Sequence, residues 1–206
     1  MISNPALGTV VAPNTIRFDL RYPHPRDAVW RAVTDPAALE VWFMPMAVDL
    51  RQGGAVKLWY RGPDTDVPAE GVVTELAVGS LVQYHFDAGP WQWPAGDLRF
   101  EISDAAGGAR LVFTQTIAPD TVWHDDPVGQ IGGPGSIHPG ACAGWQGFFQ
   151  EGLDRFLDGR PDPIYDDGDD SLMASRAQEY AALLRRLSPT QPPGTASARG
   201  PMTRRG

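Results

Sequence analysis

Between residues 47 and 117 the chain strings together short apolar runs joined by turns too short to hold a helix, which rules out a parallel sheet. The runs cover 47–51, 55–61, 69–76, 81–87, 96–103 and 110–117. Among their connections are Gln52-Gly53-Gly54, Gly79-Ser80 and Ala105-Ala106-Gly107-Gly108, all suited to tight antiparallel turns. Parallel neighbours need a crossover of about a dozen residues or more. The expected fold is therefore α+β: a curved antiparallel sheet flanked by helices.

The segments on either side supply the helices. Thr15–Tyr22 alternates Ile16, Phe18 and Leu20 with Arg17, Asp19 and Arg21, the pattern of a half-buried strand. After Pro23 and Pro25, residues Val29, Trp30 and Val33 form one apolar helical face. Asp35-Pro36 stops that helix and opens a second, which ends on the aromatic pair Trp42-Phe43. Late in the chain, Ala141, Trp145, Phe148, Phe149, Gly152 and Phe156 build a broad apolar face on a longer helix. Met173, Ala177, Tyr180, Leu184 and Leu187 then recur at helical spacing on an added helix over 171–187. That stripe is expected to dock on its own domain, with a homodimer through Met173 to Leu187 as the alternative. Residues 1–14 read as an N-terminal extension and 15–159 as the domain. Residues 160–187 read as an acidic linker plus the added helix, and 188–206 as a disordered tail.

Composition narrows the function. The chain has 206 residues and a formal charge of −8, without a dense basic patch in the expected core, which argues against nucleic-acid binding. Its single Cys142 excludes an intrachain disulfide framework and a cysteine-based metal knuckle, and favours a small buried packing residue. No apolar run is long enough to span a membrane and no secretory leader is visible, so a soluble cytoplasmic protein is expected. Seven Trp, eight Phe and five Tyr are enough to line an internal pocket.

Taken in order, DAVWRAVTDPAALEVWF, RQGGAVKLWY, AEGVVTEL, SLVQYHF, ARLVFTQT and GWQGFFQEGLDRFL resemble the START-like, helix-grip superfamily. The resemblance is to its branch of homologues of the activator of the Hsp90 ATPase. It implies a sheet wrapped around a long C-terminal helix, two short helices after the first strand, and a cavity for an apolar or amphipathic small molecule. It maps Trp42 and Phe43 to the close of the second helix, Gly53-Gly54 to a turn before a cavity strand, and Gly144-Trp145 to the start of the long helix. Gln115 stands where many relatives carry histidine, and an amide can orient a ligand but not exchange protons near neutral pH.

Strand parity yields the remaining candidates. Leu58 and Tyr60 share one face; Phe100 lies with Leu98 and Ile102; Phe113 and Gln115 lie with Leu111. Tyr84 belongs to the more apolar row of its strand, which turns His85 outward. Trp91 and Trp93 in GPWQWP either roof a cavity mouth or cap the sheet edge. With Trp145 and Phe149 these residues make up the expected ligand-binding set, and Gln115 is expected to meet ligand, pocket water or Tyr60. The long Gly/Pro-rich connection 119–139 suits a lid or entrance loop. Its His124 and His138 are the acid–base candidates; neither a metal nor a cofactor is expected. Binding of an apolar or amphipathic small molecule leads. A cyclase, dehydratase or hydrolase in the same cavity comes second, and a protein-interaction or co-chaperone-like module third.

Overall fold

The structure is a computed structural model, and it describes residues 7–60, 66–90, 93–124, 126–160 and 170–187. Strands β1 (Thr9–Ala12), β2 (Thr15–Tyr22), β3 (Met46–Val48), β4 (Ala55–Leu58), β5 (Ala69–Ala77), β6 (Leu81–Phe86), β7 (Gly96–Ala105) and β8 (Gly108–Ile117) form one sheet. Its order is β1-β2-β8-β7-β6-β5-β4-β3, and every neighbouring pair is antiparallel. The antiparallel sheet is what the short connections require, and the α+β helix-grip architecture is the one the resemblance implies. The supposed N-terminal extension is not bare: it supplies β1 at the sheet edge. Gly8, just ahead of β1, must lack a side chain, because a Cβ there would lie 2.6 Å from the Phe18 ring.

Alternation decides which side chains face in. Ile16, Phe18, Leu20 and Tyr22 of β2 are buried, as are Leu98, Phe100 and Ile102 of β7 and Leu111, Phe113 and Gln115 of β8. Helices α1 (Arg26–Thr34) and α2 (Pro36–Trp42) follow β2. Asp35 caps α2 by accepting from the Ala37 N–H at 3.0 Å, with Pro36 at the favoured first helical position. The Trp42 indole donates to the Ala32 carbonyl at 2.8 Å and so ties α2 back to α1.

The long helix is a composite. It runs as α3 (Pro139–Gly147), a π-helical segment (Phe148–Leu153) and α4 (Asp154–Leu157). A regular α-helix turns about 100° per residue, which would part Phe148 from Phe149. Here the π-helical segment carries both, and both are buried. Helix α5 (Asp170–Leu187) lies against α3, with Tyr180, Ala181 and Leu184 buried. The centre of the apolar stripe is therefore used within the chain, as the expected docking on its own domain requires, while Met173 and Leu187 at its ends are exposed. Among the described residues no helix is long and apolar enough to cross a membrane.

Candidate functional site

Sheet and long helix meet in a nest of aromatic rings. Phe113 sits at its centre, with ring centroids 4.2 Å from Trp145, 4.9 Å from Phe100 and 5.1 Å from Phe149. Trp145 stacks on Phe43 at 4.9 Å and on Phe149 at 5.7 Å. Trp42 closes the side toward α2, 5.6 Å from Phe43 and 5.9 Å from Phe149. Phe18 and Phe148, absent from the expected set, join it at 5.3 Å from Phe149 and 4.8 Å from Phe43. These rings occupy the space where a cavity was expected. Two concavities among the described residues lie elsewhere. One, of about 320 Å³, lies between Gly8–Val10 and the end of α5; the other, of about 260 Å³, lies between α1 and Phe156-Leu157.

The nest contains one polar contact, from the Trp145 indole N–H to Gln115 Oε1 at 2.7 Å. Gln115 thus faces inward as its parity predicts, but its partner is the indole of the gripped helix, not Tyr60. Tyr60 lies past the end of β4 and is 44% exposed, so the expectation that it lines the interior is corrected. The strand stops at Leu58, which is buried, and parity has no force beyond it. Tyr84 is buried, its hydroxyl donates to the Val33 carbonyl at 3.3 Å, and burial pushes its pKa well up. His85 turns outward and pairs with Asp97 at 2.8 Å. Trp93 is half-buried and edge-on to Phe86 at 5.6 Å, while Trp91 lies outside the described residues.

Charge is missing from this interior. Among the described residues the buried polar side chains are Thr34, Gln115, Ser136 and Gln146, all neutral. Cys142 is buried too, and burial raises its thiol pKa, so it is a packing residue and not a nucleophile.

The loop histidines hold the loop together. The Gly140 N–H donates to His138 Nδ1 at 2.9 Å, so the ring proton sits on Nε2 and is given to Asp126 Oδ2 at 2.7 Å. Asp126 also accepts from the Val128 and Gly129 N–H groups, and its carboxyl is held below the usual range, chiefly by His138. His138 is thus the N-cap of α3, with both ring nitrogens engaged. His124 is exposed, and its neighbour Asp125 lies outside the described residues. The two acid–base candidates thus lie in the loop, outside the aromatic nest.

At the other end of the long helix, burial raises the Asp154 pKa to about 6, reinforced by the nearby charge of Asp158. The Tyr22 hydroxyl, buried in the same neighbourhood, has no hydrogen-bond partner. Tyr22 continues the inward row of Ile16, Phe18 and Leu20, a signal the sequence reading did not use, and nothing in the sequence marks Asp154.

Comparison with known proteins agrees with this fold. The family model described as activator of Hsp90 ATPase homolog 1-like protein matches residues 23–158. No curated protein matches the chain. Among solved structures, CalU16 from Micromonospora echinospora is 22% identical, covering 82% of this chain and 88% of its own, with a TM-score of 0.59. Protein CV1439 from Chromobacterium violaceum is 25% identical over 73% of this chain and 99% of its own, with a TM-score of 0.54. EF2215 from Enterococcus faecalis, a conserved protein of unknown function, is 18% identical over 87% and 91%, with a TM-score of 0.59.

Proposed function

The chain belongs to the family of activator of Hsp90 ATPase homolog 1-like proteins, within the START-like helix-grip superfamily, and we propose that it binds a neutral, ring-containing small molecule between sheet and gripped helix. The observation that carries this reading is the nest around Phe113 and Trp145, a continuous aromatic surface with one amide–indole contact and no charge. Such a surface rewards apolar ligand area at about 25 cal/mol per Å² removed from water. It penalises an ionised group, which would have no counter-charge. A ligand takes the place of ring–ring contacts, so Trp145 or Phe43 must turn aside on binding. A carbonyl or hydroxyl on the ligand then competes for the Trp145 N–H or for Gln115.

This reading assigns no catalytic step. The histidines are at a helix cap and on the surface, and the nest holds no proton-transfer group. The family's name is not an activity of this chain.

The test is a fluorescence titration with N-phenyl-1-naphthylamine, which is neutral, and with anionic and cationic derivatives of the same ring system. The neutral compound is expected to bind at least about tenfold more tightly than either ion. Equal binding of all three, or none, contradicts the proposal.

A further inference from the structure

The outer face of α3 is as buried as the inner one, but its interface is built differently. Tyr180 of α5 donates its hydroxyl to Gln146 Oε1 at 2.8 Å. The Gly8 N–H donates to both that hydroxyl, at 2.7 Å, and Gln146 Oε1, at 3.1 Å. Gln146 is fully buried, and its Nε2 donor has no partner. A donor in that state carries a desolvation penalty that disappears once water reaches it. Docked α5 therefore keeps a polar group strained that undocked α5 would leave hydrated.

Beside this junction the long helix changes its winding. The π-helical segment begins right after Gly147, and such segments mark local departures from the α-helical ladder. Arg176 of α5 reaches across to it, its Nη2 2.8 Å from Glu151 Oε1 and 3.4 Å from Gln150 Oε1. The same helix packs on the loop before α3 and on β1. One helix thus braces α3, the π segment, the loop before α3 and β1, above rings that pack directly on one another.

We propose that α5 is a releasable latch: its undocking from Gly8, Gln146 and Glu151 lets the α3–π segment rise from the sheet and admits ligand to the aromatic nest. This rests on the ligand-binding reading above and specifies how that site is regulated. Closure is maintained by Tyr180, Leu184 and Arg176, and the unpartnered Gln146 donor keeps the docked state from being permanent.

The test uses the full chain with Arg176→Glu, Glu151→Arg and the double charge reversal. Amide hydrogen exchange is followed across α3, the π segment and α5, alongside stopped-flow association of N-phenyl-1-naphthylamine. Arg176→Glu should raise exchange in all three segments and speed association on the order of tenfold, the change that about 1.4 kcal/mol produces. The double reversal should restore both. Loosened α5 with unchanged exchange in α3 and an unchanged association rate overturns the latch while leaving binding intact. If the probe binds no form, the ligand reading fails and the latch stands or falls on coupled exchange alone. Tyr180→Phe, which removes the hydroxyl between Gly8 and Gln146, is the second variant. No loosening of α5 in either variant also overturns the proposal.

Discussion

The two faces of the gripped helix are equally buried and differ in how their polar atoms are treated. Toward the sheet, Trp145 and Phe149 meet Phe113 and Phe43 ring to ring, and the Trp145 indole N–H has its acceptor in Gln115. Toward α5, Gln146 has its oxygen satisfied twice and its nitrogen not at all, and an ion pair lies at the margin. Burial alone does not distinguish a fixed core from a docked element. Around Trp145 and Gln146 polar satisfaction does, because an orphaned donor favours whichever state lets water in.

The largest test of that contrast is Phe113→Ala, which removes the ring that meets Phe18, Phe100, Trp145 and Phe149. It should cost about 3–5 kcal/mol in urea unfolding. If it costs no more than a change at the α5 interface, the two faces are not distinct. Gln115→Leu should cost less, about 1–3 kcal/mol, since the buried Trp145 N–H loses its acceptor. The same change should weaken a carbonyl-bearing ligand more than a pure hydrocarbon, as paired titrations would show. Tyr180→Phe should be milder again, at about 0.5–1.5 kcal/mol in the same unfolding assay.

The smallest effect concerns the far end of the helix, where Asp154 has a pKa raised to about 6 by burial, against about 3.9 for a free aspartate. Because the folded state holds that proton more tightly, Asp154 favours folding most at low pH, and this is lost as pH rises through 6. Asp154→Asn should therefore raise Tm by roughly 2–4 °C at about pH 8 and leave it unchanged near pH 4. A Tm gain of the same size at both pH values would show that the carboxyl's charge is not the cause.

The sequence revealed most where a residue's effect is local. Asp35-Pro36 marked a helix junction and then proved to be a cap with its hydrogen bond. Strand parity turned Phe100, Phe113, Gln115 and Tyr84 inward, and the structure agrees. It misled at Tyr60, because parity says nothing about where a strand ends and β4 stops at Leu58. It was silent on the π segment: Phe148 and Phe149 were both placed on the apolar face, but nothing in the residues marks the change of winding there. The capping role of His138 was not foreseen, because it depends on a backbone N–H two residues on, a geometry that residue type alone does not disclose. The strand in the N-terminal extension was legible in Thr9-Val10-Val11, whose β-branched run is what β1 uses.

The Trp145 indole N–H reports most directly on the central claim, that the ring nest between sheet and helix is where a ligand goes. Its ¹H–¹⁵N resonance, assigned through Trp145→Phe, can be followed as N-phenyl-1-naphthylamine is added. The Trp123 indole, which donates to the Ser136 carbonyl at 2.8 Å within the loop, serves as internal reference. The Trp145 signal should shift with the same saturation curve as probe fluorescence, while the Trp123 signal stays in place. Saturable probe binding with the Trp145 resonance unmoved would place the ligand elsewhere and contradict the account.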